Sequence, residues 1–302
     1  MAEKSLRVAR ALGDLRLDFS AHRNNARGQI LSRSSLGHAA LGACFCPLGA
    51  GLGCPLIVGQ KRTPDMTLAP LFFDLDHTLW DFETNSRLAL GQGFKDLELV
   101  SLGVADLPTW IRHYEAANDH CWAEFRAGRM DKANLRGRRF ELALEACGVA
   151  FPEGLPLRLG EHYLGHSPYQ KALIPGTLDV LEGLRARGHR MWVLTNGFDE
   201  VQHLKMDNCN LTPFFEGVYT SDALEVKKPN PKAYRLAAER AGLTTTEFES
   251  VVMVGDSLES DVLGAQQVGW RGVHFAPSGE RHPEAWRTIR SLPELLDLDL
   301  KA

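Results

Sequence analysis

Two aspartates, Asp74 and Asp76, stand two residues apart at the end of an apolar run in the stretch LFFDLDHTLW, residues 71–80. On an extended strand, positions i and i+2 point to the same face, so this spacing sets two carboxylates side by side. Neighbouring anions repel, and burying either without a partner is costly. The pair therefore calls for a cation or a shared proton. Further along, the run at 191–194 ends in Thr195 and Asn196, the segment KKPNP supplies Lys228, and the run at 251–254 leads to Asp256 and then Asp261. Carboxylates converging at one sheet edge suit a hard divalent cation such as Mg2+, which takes oxygen ligands and keeps several waters. A lysine and a hydroxyl nearby would neutralise and orient a phosphate. One carboxylate can then serve as nucleophile while its neighbour acts as acid and base. Taken singly these signals are weak: aspartate is common in loops, TNG reads as a turn, KKPNP as a solvated turn and GDS as a helix cap. The combination, four signals in order and each at a strand end, is what points to chemistry.

The elements that must position these residues follow a repeating pattern. Short apolar runs at Leu71–Phe73, Met191–Leu194, 217–221, Val251–Val254 and 272–275 read as strands. Between them lie helical signals: Leu178, Leu181 and Leu184 closed by Gly188, and Asn230–Pro231 as an N-cap followed by proline in the first helical position. Continuous apolar strands alternating with helices predict an α/β fold with a doubly wound parallel sheet, in which ligands bind at the carboxyl ends of the strands. Residues 83–170 break the rhythm. They are charged, aromatic-studded and helix-like throughout, and read as an inserted α-helical cap of about four helices. The expected domains are thus a core of residues 66–82 and 171–302, the cap at 83–170, and an N-terminal extension at 1–65.

The chain has 302 residues and a formal net charge of -4, which argues against a nucleic-acid partner or an anionic membrane. Residues 1–65 carry nine Lys/Arg and four Asp/Glu, against 25 and 34 in the rest. That basic extension, with an uncharged Gly-rich stretch from Ala39 to Gly59 broken by Pro47 and Pro55, reads as disordered; a targeting peptide or an upstream extension before a true start at Met66 are the alternatives. The six cysteines form no C-x-x-C pair or zinc spacing, so reduced thiols in a cytoplasmic protein are expected.

FFDLDHTL, LTNG, KKPNP and VGDSLESDVLGA resemble, in order, the four motifs of haloacid dehalogenase superfamily hydrolases, and the resemblance covers nearly all of residues 68–300. It implies Asp74 as the nucleophile forming an aspartyl-phosphate and Asp76 as the general acid and base. It further implies Thr195 with Asn196 and Lys228 as the phosphate-binding set, Asp74, Asp76 and Asp256 as the Mg2+ site, and Thr78 and Asp261 as supporting residues. Lys227 reads as a solvated neighbour, and His77 as facing the loop or solvent. The superfamily's dehalogenases lack an acid two positions after the nucleophile; Asp76 therefore favours phosphate-ester chemistry. The segments LTNGFDEVQ, GRRFELAL and FAPSGERHP resemble the noncanonical pyrimidine 5′-nucleotidase branch. The expected function is a Mg2+-dependent phosphatase of small phosphomonoesters, with a nucleoside 5′-monophosphate as leading substrate, working as a monomer or homodimer. In the cap, Asn118, Trp122 and Arg139 are candidate substrate contacts, with Phe140 as either a base-stacking ring or a core anchor. A sugar-phosphate phosphatase or phosphomutase is the alternative within the superfamily. A catalytically silent binding protein is a further one, and a dinucleotide oxidoreductase is disfavoured because no G-x-G-x-x-G follows the first strand.

Overall fold

The structure, a computed structural model, describes residues 68–302; the readings for residues 1–65 and for Met66 fall outside them. Six parallel strands form one sheet in the order β3-β2-β1-β4-β5-β6, from β1 (Leu71–Phe73), β2 (Met191–Thr195), β3 (Gly217–Thr220), β4 (Val252–Gly255), β5 (Arg271–Phe275) and β6 (Arg287–Ile289). The first strand lies mid-sheet, with Leu71 in register with Met191 on one side and Val252 on the other. Alternate residues serve opposite faces. Leu71, Phe73, Met191, Val193, Val252 and Val254 enter one apolar cluster, while Phe72, Trp192, Leu194 and Met253 enter the other with Tyr234 and Trp270. Because both faces are covered, the strands read as unbroken apolar runs, and this made them visible in the sequence. The short edge strand β6 has no such run and was not expected.

Between β1 and the rest of the sheet come four helices: α1 (Phe82–Asp96), α2 (Leu107–Arg126), α3 (Lys132–Ala146) and α4 (Leu155–His166). Asp81, Asp106 and Asp131 cap the first three, each accepting from a backbone amide three residues on. The four helices bury their own cluster around Trp110, Tyr114, Phe140, Leu159 and Tyr163. Phe140 is a core anchor there. Helices α3 and α4 approach so closely that a Cβ on Gly160 would lie 2.6 Å from the Arg136 carbonyl oxygen.

The chain leaves for these helices and returns from them along neighbouring paths. The Asp81 amide donates to the Ala172 carbonyl at 3.1 Å, and the Ile174 amide to that of Leu79 at 3.0 Å. The Asn85 side chain clamps Ala172 from both sides, donating at 2.8 Å and accepting at 2.9 Å. The remaining helices follow the sheet: α5 (Thr177–Ala186), α6 (Asp199–Asn208), α7 (Ser221–Leu224), α8 (Pro231–Arg240), α9 (Thr245–Ser250) and α10 (Gly264–Gln266), with a π-helical turn at Leu258–Leu263. No helix of the described residues is long and apolar enough to cross a membrane.

Candidate active site

The carboxyl ends of β1, β2 and β4 open into one cavity of about 230 Å³. Its lining gathers Asp74, Asp76, Thr195, Asn196, Lys228, Asp256 and Asp261 from the core, with Asp119, Trp122 and Arg126 facing them from α2. The strand register places them. The Asp74 amide extends the sheet by donating to the Val254 carbonyl at 2.9 Å, which sets Asp74 beside the end of β4. After Asp74 the chain folds back on itself: the amides of Leu79 and Trp80 both donate to Leu75, and His77 takes a φ of +63°.

Lys228 is the centre of charge. Its Nζ donates to Asp74 Oδ1 at 2.8 Å and to Asp261 Oδ1 at 2.5 Å, and it is 2 % exposed. Asn196 holds it there by bonding the Lys228 backbone twice, accepting from its amide at 2.8 Å and donating to its carbonyl at 2.9 Å. The Asn196 side chain is thus a positioning group for Lys228, and only its main chain can face a phosphate. Thr78 carries Asp256: its hydroxyl accepts from the Asp256 amide at 3.0 Å and lies 3.2 Å from Asp256 Oδ1. Asp261 is fastened by the Ser257 amide at 3.0 Å. It packs so tightly on the end of β4 that a Cβ on Gly255 would lie 2.2 Å from its carboxylate.

One lysine among two buried acids and a half-buried third leaves negative charge uncompensated. Burial, then the incomplete answer from Lys228 and repulsion from Asp261, pushes Asp74 up to about 7. Burial and then Asp74 push Asp256 up to about 6, and burial raises Asp261 also. Burial works against the Lys228 ammonium, yet Asp261 and Asp74 outweigh it and raise its pKa above the usual value. Oxygens of Asp74, Asp256 and Asp261 all lie within 4.8 Å of one another. A hard divalent cation fits this donor set, since it would take oxygen ligands and supply the missing positive charge.

Asp76 stands apart from that group. Its carboxylate accepts from Lys205 Nζ at 2.5 Å and from Gln202 Nε2 at 2.9 Å. Of the expected metal trio, the carboxylates of Asp74 and Asp256 cluster with that of Asp261, while the Asp76 carboxylate turns to α6. Gln202 Nε2 also donates to Thr195 Oγ1 at 2.8 Å, and the Gly197 amide donates to the same hydroxyl at 3.1 Å. Lys205 and Gln202 escaped the sequence reading because α6 is a helix of mixed charge, where a lysine reads as solvated. Their i, i+3 spacing directly after TNG is the signal that was available.

Three further residues are placed as follows. Lys227 is no solvated neighbour; its Nζ donates to the Phe125 carbonyl and sits 3.8 Å from the Phe125 ring centroid, joining core to cap. His77 is exposed, as expected, at the rim of the cavity and lies 4.6 Å from the Phe82 ring. Asn118 is buried in the cap, where its Oδ1 accepts from Arg139 at 2.9 Å, and it lines neither this cavity nor the one behind Asp76. The cavity-facing side of α2 is one residue on, at Asp119, Trp122 and Arg126, a three- and seven-residue spacing that a helical wheel puts on one face. Trp122 stacks on Phe198 at 5.5 Å. Arg139 does not reach the main cavity; it lines the second one.

The chain resembles known proteins over the whole of this region. A protein-family profile described as haloacid dehalogenase-like hydrolase matches residues 71–269. The pyrimidine 5′-nucleotidase YjjG of Escherichia coli (strain K12) is 30% identical over 232 residues, covering 76% of this chain and 96% of that protein. The pyrimidine 5′-nucleotidase PynA of Streptococcus pneumoniae is 29% identical, over 75% of this chain and 93% of that one. Among solved structures, magnesium-bound YfnB of Bacillus subtilis superposes with a TM-score of 0.68 at 26% identity, covering 77% of this chain and 100% of that chain. With strand order, site and family profile in agreement, the chain belongs to the haloacid dehalogenase-like hydrolases.

Proposed function

We propose that this hydrolase is a Mg2+-dependent phosphatase of nucleoside 5′-monophosphates, with pyrimidine nucleotides preferred. The carrying observation is the division of labour between two aspartates two residues apart. Asp74 faces Lys228 and Asp256 in the cavity, while Asp76 is held by Lys205 and Gln202 at its edge. Likeness to the two pyrimidine nucleotidases supports the substrate class.

In this reading Asp74 attacks phosphorus as the bond to the leaving oxygen breaks, and Asp76 passes its proton to that oxygen. The freed Asp76 carboxylate then takes a proton from water as the water oxygen attacks phosphorus. The aspartyl–phosphorus bond breaks, phosphate leaves, and both side chains are restored. Lys228 and the Thr195 hydroxyl, with the amides that follow it, orient the phosphoryl oxygens. Asp74 and Asp256 would hold Mg2+, with Asp261 beside them, and the ion would neutralise charge on the transferring group. The free Cys121, Cys147 and Cys209 suit a cytoplasmic setting.

Phosphate release from UMP, dUMP, TMP, AMP, ribose 5-phosphate and 4-nitrophenyl phosphate tests the proposal, with Asp74→Asn alongside. Pyrimidine monophosphates should turn over fastest, and the variant should lose roughly 10³-fold or more, as removal of a covalent nucleophile does. Unchanged turnover in Asp74→Asn would refute the mechanism. Release from ribose 5-phosphate alone would keep the mechanism and move the substrate.

A further inference from the structure

Behind Asp76 lies a second, smaller cavity of about 50 Å³, and its lining shares Asp76, Phe82, Trp122 and Gly197 with the first. Its remaining walls come from Arg139, Tyr163 and Leu164 of the cap, the turn at Ser167–Pro168, and Phe198, Val201, Gln202 and Lys205 of the core. If Asp76 protonates the leaving oxygen, the leaving alcohol must project past it, and this cavity is adjacent space.

Arg139 is out of place as a purely structural residue. It is 5 % exposed, and no carboxylate lies within ion-pair distance of it among the described residues. Its guanidinium sits over three rings, 5.0 Å from the Tyr163 centroid, 5.3 Å from Phe140 and 5.7 Å from Tyr114. It donates once, to Asn118, and its Nε has no partner. A buried cation with an unused donor is expensive unless something else completes it. Gln202, fully buried, has the complementary defect. Its Nε2 is committed to Asp76 and Thr195, which fixes the amide orientation and leaves Oε1 as an unpartnered acceptor. One unpaired donor and one unpaired acceptor thus belong to residues lining one aromatic-walled cavity.

The geometry points to this cavity as the pocket for the pyrimidine ring, with Arg139 and Gln202 reading a donor beside an acceptor on its edge. Uracil and thymine offer N3–H beside a carbonyl; cytosine offers its amino group beside N3. Trp122, itself stacked on Phe198, supplies an aromatic wall. At roughly 10–15 Å³ for each water, the cavity holds about four, comparable to one six-membered ring and too little for a fused bicycle. The inference rests on the nucleotidase reading of the same site and adds the residues that choose the base.

Two measurements test it. The first uses the unaltered protein: kcat/KM for UMP is compared with that for 3-methyluridine 5′-monophosphate, which lacks the N3 proton, and for ribose 5-phosphate, which lacks the base. N3-methylation should reduce kcat/KM at least tenfold. The second uses Arg139→Met and Arg139→Lys, each checked for an unchanged circular dichroism spectrum; both should cut the UMP to ribose 5-phosphate ratio at least tenfold, since lysine cannot supply Nε. If the unaltered protein turns over UMP well, but methylation and both variants shift these ratios less than twofold, the pocket is wrong and the nucleotidase reading stands. If it turns over no nucleotide at all, both fall.

Discussion

Asp76 is oriented before any substrate arrives, because Lys205 and Gln202 hold both its oxygens. Lys205 is itself fixed, 4 % exposed and 4.1 Å from the Trp80 ring centroid. General acid catalysis contributes about 10²–10⁴-fold when the acid is well placed. Lys205→Met should therefore lower kcat for UMP by roughly 10–100-fold with little change in KM. The loss should be much smaller for 4-nitrophenyl phosphate, whose leaving group needs no proton; equal losses for the two substrates would refute the role. At this scale the sequence was legible where a residue ends a strand. Asp74, Thr195, Lys228 and Asp256 could be found because an apolar run or a proline marks the place. Residues that act from a helix face carry no such mark: Lys205 looks like any surface lysine until the fold shows it buried.

Helix α3 shows what capping does for the site. Asp131 Oδ1 accepts from the Asn134 amide at 2.7 Å and so starts the helix that carries Arg136 and Arg139. Asp131→Ala should cost about 1 kcal/mol. Hydrogen exchange should report it as roughly fivefold faster opening in α3, with β1 and β4 unaffected. Equal acceleration in the central strands would mean that cap and core unfold together. The cap was readable as helical from its charged, aromatic-studded composition without strand-like runs, but not which face meets the core. Asn118 and Trp122 differ by one turn and both looked eligible; only the packing of Tyr114 and Arg139 against Asn118 turns that residue inward.

For the molecule as a whole, a divalent cation held by the acidic cluster would link binding to folding. A ligand that binds only the folded state adds about 2.7 kcal/mol at a hundred times its dissociation constant. Thermal unfolding should therefore move upward with added MgCl2 and back with EDTA, and Asp256→Asn should abolish the shift. A shift that survives in that variant would place the cation elsewhere. Cap and core also meet through charge, Lys132 with Glu200 and Asp222, and Arg136 with Glu200. The parallel sheet was foreseeable from the strand pattern, whereas this latch pairs residues more than sixty positions apart and leaves no local trace. At the opposite side, the outgoing and returning chains lie side by side and are cross-bonded by Asp81, Asn85 and Ala172. Two bonded threads bend readily across their shared line but resist twisting about it. Any bending of the helices against the sheet would therefore run about this paired connection, with Trp122 on the side that lines the cavity.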